Sequence, residues 1–172
     1  YENGQLGDRG YFKDGKEDGI WEGFDENGQL GTKLTYKDGI EGLIETYHRN
    51  GQLKMRGNVQ DGEVEGFVEM FNENGQLHRR GNIQDGEQDG LWERFYENGQ
   101  LQERGYYKDG KDEGIWEVFY KNGQLEFRSP YKDGKKDGLQ ERFYENGQLD
   151  ERMILKDGIL DGLWEVFYKN GQ

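Results

Sequence analysis

Few residues of this chain could serve as catalytic nucleophiles. Its 172 residues include no cysteine, and Ser129 is the only serine. A nucleophilic serine needs a histidine base beside it, but His48 and His78 occupy positions that Tyr96 and Gln102 fill elsewhere in a repeating pattern. The sequence therefore predicts that the chain is not an enzyme, that it has no catalytic residue and that it needs no cofactor.

Carboxylates are abundant, with 36 Asp and Glu side chains. Glycoside hydrolysis would need two carboxylates in different environments. Glu93 instead belongs to a repeating pattern in which the same position is glutamate in every copy and a basic residue is predicted to face it. This arrangement favours a structural ion pair. Acidic loop pairs such as Asp14 with Asp18 and Asp85 with Asp89 could ligate Ca²⁺. They lack the order of an EF-hand loop, and Asp-Gly is common in turns. We predict no metal site and keep calcium as an alternative.

One four-residue motif recurs along the whole chain. Asn-Gly-Gln-Leu returns every 24 residues, with a single spacing of 23 between Asn27 and Asn50. Complete copies begin at Asn3, Asn27, Asn50, Asn74, Asn98, Asn122 and Asn146, and a shorter copy begins at Asn170. A fixed period of this length indicates a repeat protein. Asn-Gly between alternating apolar and polar runs is typical of a type I′ hairpin turn.

Each repeat is predicted to be one β-hairpin. In the reference copy, 91–97 is the first strand, Asn98-Gly99 is a two-residue turn, 100–107 is the second strand and 108–114 is a wider loop. We expect an all-β protein, an elongated and largely single-layer antiparallel β-meander of about 14 strands built from 24-residue hairpins. Residues 1–172 would form a single array of about seven units, and we expect a fragment of a longer array with open sheet edges.

A two-residue turn fixes which residues face each other. It sets Glu97 opposite Gln100, Tyr96 opposite Leu101 and Phe95 opposite Gln102. It also sets Arg94 opposite Glu103, Glu93 opposite Arg104 and Trp92 opposite Gly105. We call each equivalent position a slot, named after its residue in the reference copy. If Arg104 also faces Glu117 across the wider loop, a row of alternating charges crosses the sheet and fixes its register. The Trp92 slot lies across from glycine, where an indole can cover bare backbone.

The repeated unit resembles a known family. The pattern Asp-Gly-x-x-x-Gly-Leu-Trp-Glu-x-Phe-Tyr-x-Asn-Gly-Gln-Leu, clearest at 85–101 and 109–125, resembles the MORN repeat. It is closer to the variant MORN repeat of bacterial proteins of the YwqK-type antitoxin family. The resemblance covers essentially the whole chain and implies an antiparallel β-meander with a role in interaction or scaffolding. The antitoxin label further implies a protein partner, and the family supplies no catalytic motif.

The net charge limits the classes of partner. At −13, the chain lacks the clustered Lys and Arg that nucleic acid or an anionic membrane requires. The lipid contact linked to MORN arrays elsewhere is disfavoured for the same reason. A basic protein partner is compatible with this charge. No apolar run reaches the length of a spanning helix and no targeting signal is visible, so the cytoplasm and the bacterial cell surface both stay open.

The aromatic side chains are the remaining candidates for function. We predict that another protein binds the face carrying the Trp92 and Tyr96 slots in the C-terminal half, where the Tyr96 slot becomes uniformly tyrosine. The predicted partner-binding residues are Trp92, Tyr96, Trp116, Tyr120, Tyr144, Trp164 and Tyr168. Three alternatives stay open: shielding of the sheet by these rings, a structural spacer or surface stalk that self-associates end to end, and a polysaccharide-binding module.

Overall fold

The computed structural model describes residues 1–171 and divides the chain into two compact units, Tyr1–Gly86 and the residues from Glu87 onward. All regular elements in the described residues are β-strands, and paired strands run antiparallel. Most strands pair with their neighbours in sequence within each unit. The predicted all-β, antiparallel meander is therefore confirmed.

The first unit is one meander with a small two-stranded sheet near its start. Its strands pair in the order β1-β4-β5-β6-β7-β8-β9, and β2 pairs only with β3. Their bounds are β1 Asp8–Arg9, β2 Phe12–Lys13, β3 Lys16–Glu17, β4 Gly19–Phe24, β5 Leu30–Lys37, β6 Ile40–Tyr47, β7 Leu53–Gln60, β8 Glu63–Phe71 and β9 Leu77–Gln84.

The second unit repeats the same hairpins with one interruption. Its strands pair in the order β10-β11-β12-β13-β15-β16-β17, and β14 extends the pairing of β13. Their bounds are β10 Glu87–Phe95, β11 Leu101–Lys108, β12 Lys111–Phe119, β13 Leu125–Lys132, β14 Lys135–Lys136, β15 Gly138–Phe143, β16 Leu149–Lys156 and β17 Ile159–Val166.

The predicted wider loop is in fact the tighter turn. Lys108 pairs with Lys111, so only Asp109 and Gly110 lie between β11 and β12. Both have positive φ, 48° and 70°, which is the requirement of a type I′ turn. Asp tolerates this left-handed conformation because its short polar side chain can hydrogen-bond locally. The prediction of a loop over 108–114 is wrong because Asp-Gly satisfies the same turn rule as Asn-Gly.

The Asn-Gly turn has three loop residues instead of two. The Gly99 N–H donates to Tyr96 O (2.9 Å) and the Tyr96 N–H donates to Gln100 O (2.8 Å). At this turn only Gly99 has positive φ, +82°, as expected for a type I turn followed by a left-handed glycine. The Asn98 Oδ1 accepts the Gln100 N–H at 3.0 Å, a local bond that suits a negative-φ asparagine.

The extra loop residue shifts the register near the turn. Phe95 pairs with Leu101, so the predicted pairs of Glu97 with Gln100, Tyr96 with Leu101 and Phe95 with Gln102 are wrong. A bulge at Gln102 then restores the predicted alignment. The pairs of Arg94 with Glu103, Glu93 with Arg104 and Trp92 with Gly105 are all observed. Arg104 also faces Glu117 across the type I′ hairpin, which confirms that pairing too.

Glycine beneath tryptophan produces the closest packing in the repeat. Between the pairs Arg104 with Glu117 and Tyr106 with Glu113, three residues of β12 stand opposite Gly105 alone. The Trp116 ring lies against Gly105 so closely that a Cβ there would fall 2.1 Å from it. Trp92 is paired with Gly105, but the ring that covers this glycine comes from the next strand.

The two sides of the sheet differ in burial. We call the side carrying the Trp92 slot the Trp face and the side carrying the Glu93 slot the ion-pair face. The buried apolar side chains belong to the Trp face, with Val68 at 1% and Trp92 at 2% exposure. The Leu91 slot on the ion-pair face is exposed, as in Ile115 at 50%. The core of each unit therefore lies on its Trp face.

We predict that Gly105→Ala destabilises the protein by about 1–3 kcal/mol, the usual cost of overpacking, because the new Cβ would clash with the Trp116 ring. Gly31→Ala is the matched control, since the nearest atom to its added Cβ is 3.7 Å away. Urea unfolding followed by tryptophan fluorescence measures both. Equal losses in the two variants would contradict the predicted role of the indole.

Candidate functional site

Ion pairs recur on the ion-pair face of each unit, and we call those of one unit its ladder. In five repeats a guanidinium contacts the glutamate thirteen residues later, and for Arg104 and Glu117 the Nε to Oε2 distance is 2.6 Å. The other pairs are Arg9 with Glu22, Arg56 with Glu69, Arg128 with Glu141, and Arg152 with Glu165. The carboxylates are the more covered partners, as at Glu141, whose side chain is 13% exposed. Because the pairs are partly exposed, their main effect is on register.

The same guanidinium groups cover the aromatic Phe95 slot. The Arg104 Cζ lies 5.6 Å from the centre of the Phe119 ring, and Arg56 and Arg152 each lie 5.7 Å from their equivalent rings. These distances fit cation–π contact. Each of these five repeats thus combines an arginine, a glutamate and an aromatic ring in one cluster, and its charges and ring face are satisfied internally.

Beside this ladder lies a row of exposed apolar side chains. In the second unit, Leu91 is 39%, Tyr106 51%, Ile115 50% and Leu139 44% exposed. They line a groove of about 650 Å³ together with Pro130 and the ion pairs Arg104 with Glu117 and Arg128 with Glu141. We call the five apolar residues of this groove the apolar row: Leu91, Tyr106, Ile115, Pro130 and Leu139. Sequence reasoning missed it as a site, although an apolar residue in every copy on the ion-pair face was an available signal.

The Trp face of the second unit is held by ring-to-ring contacts. Trp92, Tyr107, Trp116 and Tyr131 form a chain of edge-to-face pairs with centroid distances of 6.4, 5.2 and 6.2 Å. Such geometry is favourable for aromatic pairs. The Trp116 Nε1 also donates to Tyr106 O at 3.3 Å. Two of the predicted binding residues, Trp92 and Trp116, therefore help to hold the sheet.

The predicted tyrosine row is bonded to the backbone. The Oη of Tyr96 donates to Phe119 O and that of Tyr120 donates to Phe143 O, both at 2.7 Å, while Tyr144 donates to Phe167 O at 2.9 Å. The acceptor lies 23 residues later in each case. These three rings are half-buried. Trp164 at 59% and Tyr168 at 77% exposure are the predicted binding residues most open to solvent.

One repeat replaces the indole-on-glycine contact by polar side chains. Ser129 takes the glycine slot and is fully buried, and Gln140 takes the tryptophan slot and is 7% exposed. The Lys136 Nζ donates to Gln140 Oε1 at 2.9 Å and lies 4.7 Å from the Phe127 ring centre. Burial and the nearby Arg142 lower the pKa of Lys136.

Two of the candidate catalytic groups, Ser129 and His48, occupy structural positions, whereas His78 is exposed. Of the candidate metal ligands, Asp18 accepts the Asp38 N–H at 3.5 Å. Ser129 is covered, and His48 donates from Nε2 to Phe71 O at 2.8 Å. The loop carboxylates accept backbone N–H groups of the next type I′ turn, as Glu41 does from Gly62 (2.7 Å) and Glu113 from Asp133 (3.0 Å). Within residues 1–171, no group of three or more His, Asp or Glu side chains is arranged to hold a metal ion.

The repeated hairpins and their side-chain clusters define an all-β repeat protein. A comparison with protein families matches the MORN repeat variant over residues 17–38, 40–61, 88–109, 112–133, 136–157 and 160–172. The chain belongs to the MORN repeat variant family, as its motif suggested. No curated protein gives a significant match. In the described part of the chain, no helix is long and apolar enough to cross a membrane.

We predict that Tyr120→Phe lowers the free energy of unfolding by about 0.5–1.5 kcal/mol, because it removes the hydrogen bond to Phe143 O. Tyr168→Phe is the control, since that side chain is 77% exposed and its loss of a hydroxyl should change stability little. Chemical denaturation of both variants tests this. If Tyr120→Phe matches the wild type, the hydroxyl row does not stabilise the sheet.

Tyr47 should make the stability of the protein depend on pH in the alkaline range. Burial, a hydrogen bond to Glu45 Oε2 (2.8 Å) and the charge of that carboxylate raise the pKa of Tyr47 to about 12. An unfolded tyrosine titrates near pH 10. The stability gained from the neutral phenol is therefore complete below about pH 10 and is lost as pH rises through 12. Unfolding of wild type and Tyr47→Phe across this range should show a steeper loss in the wild type, and parallel curves would contradict the shift.

Proposed function

We propose that this chain is a non-enzymatic repeat scaffold that binds another protein through the apolar row of its second unit. The observation that carries the proposal is the exposure of that row, at 39–51% for Leu91, Tyr106, Ile115 and Leu139. Contiguous apolar surface of this kind marks interaction sites in soluble proteins. The groove beside it gives a partner side chain a concave surface to fill.

The surroundings of the row suit a protein interface. Arg104 and Arg128 are already paired with Glu117 and Glu141, so a partner can cover the row without leaving unpaired charge beneath it. Protein interfaces combine an apolar centre, depleted in charge, with a polar rim in which arginine is frequent. The row and its ladder have this arrangement within a single face.

The charge of the chain indicates the chemistry of the partner's rim. With −13 overall and a balanced ladder, the acidic excess lies outside the ladder. A partner with basic residues around an apolar centre would be attracted to this chain, and its association rate would fall with added salt. Nucleic acid and anionic membranes are not proposed as ligands, because both would be repelled by the same charge.

Two further observations support a binding function. The resemblance to the YwqK-type antitoxin family supports a protein as the ligand, because that label implies a protein partner. The only serine, Ser129, is buried, and His48 bonds to a backbone carbonyl, which supports a non-enzymatic role.

The Trp face is the second candidate surface. On that face the candidate binding residues are Trp164 and Tyr168, because they are the most exposed of the seven predicted partner-binding residues.

A pair of double variants separates the two surfaces. Ile115→Thr with Leu139→Thr replaces exposed apolar groups of the row by side chains that also favour strands. Trp164→Thr with Tyr168→Thr is the matched change on the Trp face. The partner captured by the wild-type chain is identified by mass spectrometry and purified, and its affinity for each variant is measured by calorimetry. We expect at least a tenfold loss for the row variant, which corresponds to about 1.4 kcal/mol.

Two outcomes of the calorimetry would contradict the proposal that the partner binds the apolar row. Unchanged affinity of the row variant with weakened binding of the Trp-face variant would move the interface to Trp164 and Tyr168. Unchanged affinity in both would exclude both surfaces. Circular dichroism of each variant verifies that lost binding does not come from lost folding.

A further inference from the structure

The asparagine of each Asn-Gly turn is a potential site of spontaneous chemistry, and the fold restrains most of them. The Asn98 Oδ1 accepts the Gln100 N–H at 3.0 Å and its Nδ2 donates to Lys121 O at 3.4 Å. Asn3, Asn50, Asn122 and Asn146 make the same two bonds, one within the turn and one to the following turn. Both ends of these amides are therefore held.

Asn27 is the exception. Among the described residues, it makes neither of those two bonds. Asp25 occupies the Tyr96 slot in this repeat, and its Oδ1 accepts the N–H groups of Asn27 and Gln29, each at 2.9 Å. The link to the following turn comes from Gln29 Nε2, which donates to Arg49 O. The Asn27 side chain is exposed, and its amide contacts the Asp25 carboxylate of the same turn.

Backbone geometry does not distinguish this turn from the others. Gly28 has φ of +77° and donates to Asp25 O at 2.8 Å, while Gly99 has φ of +82° and donates to Tyr96 O at 2.9 Å. The reactive Asn-Gly pair is also the same in every copy. The restraint on the amide is thus the feature that varies.

We propose that Asn27-Gly28 is the preferred site of spontaneous deamidation in the folded protein. The Gly28 nitrogen loses its proton to water and attacks the Asn27 Cγ, forming a five-membered imide. The Cγ–Nδ2 bond breaks, and Nδ2 leaves as ammonia with a proton from water. A second water then opens the imide at either carbonyl, which leaves an aspartyl or isoaspartyl residue at position 27. The reaction needs water alone and involves no oxidant or reductant.

The rate difference follows from the freedom of the side chain. The Asn98 amide must break bonds to two backbone groups before its Cγ can turn towards the Gly99 nitrogen. The Asn27 amide must leave only a contact within its own turn. Asn74 lies between these cases, since its Oδ1 accepts the Gln76 N–H but its Nδ2 donates to Gln76 Oε1 of the same turn. The structure therefore assigns an order of reaction: Asn27, then Asn74, then the doubly bonded copies.

Deamidation here would alter the hairpin between β4 and β5. Each event adds one negative charge to a chain already at −13. An isoaspartyl product also adds one carbon to the main chain in a turn whose register depends on its three loop residues. The modified population would therefore carry a defect in the first unit, independent of any partner bound to the second.

The test is incubation of the full chain at neutral pH with peptide mapping by mass spectrometry over time. We expect Asn27 to deamidate about tenfold faster than Asn98 or Asn122, a ratio equal to about 1.4 kcal/mol of restraint. The same incubation in concentrated urea is the control, and there the copies should react at similar rates. Equal rates in the folded chain, or the same preference for Asn27 in urea, would overturn the proposal.

Two substitutions test the cause. Asp25→Tyr restores the residue found in later repeats and should slow deamidation at Asn27 to the rate of Asn98. Tyr96→Asp transfers the exception and should make Asn98 react as fast as Asn27. If neither rate changes in variants that retain the wild-type circular dichroism spectrum, the restraint by neighbouring hydrogen bonds is not the cause.

Discussion

The packing of an indole on bare glycine backbone governs the arrangement of the repeat. Trp116 can lie on Gly105 only because that residue has no side chain and because three residues of β12 stand opposite it. The strand bends there at Gly114, whose φ of +70° is favourable for glycine alone. In one repeat Gln140 takes the tryptophan slot and the residue beneath it is Ser129, so both members of the contact differ there.

This contact also decides which face is available for binding. It concentrates the apolar contacts of the second unit on the Trp face, where Trp92 is 2% exposed. The ladder of Arg104 and Glu117 then needs no apolar cover, because its charges satisfy each other. The apolar row beside the ladder is left exposed in consequence.

Repetition made most of the fold predictable, because seven copies of one pattern separate conserved slots from variable ones. The pairs of Arg94 with Glu103, Glu93 with Arg104 and Trp92 with Gly105 followed from the hairpin signal. The types of turn did not. Asn98-Gly99 and Asp109-Gly110 match the same turn rule, and only hydrogen bonds formed in the folded state distinguish them. The variable Tyr96 slot suggested a binding site, but its hydroxyl bonds to a carbonyl 23 residues away. Every Leu91 slot is apolar, but the sequence does not reveal that the sheet leaves this slot exposed, as at Ile115.

The bonds that Tyr96, Tyr120 and Tyr144 make to the next repeat restrict how such a gene can change in length. Adding or removing one whole hairpin leaves every donor facing an acceptor, because the new neighbours are copies of the old ones. A change of one residue within a strand would displace every subsequent bond in that hairpin. The 23-residue repeat avoids this because its missing residue falls in the bulge opposite Thr35, between the pairs of Leu34 with Ile44 and Tyr36 with Glu41. Duplication and deletion in steps of one hairpin are therefore the changes that this architecture tolerates best.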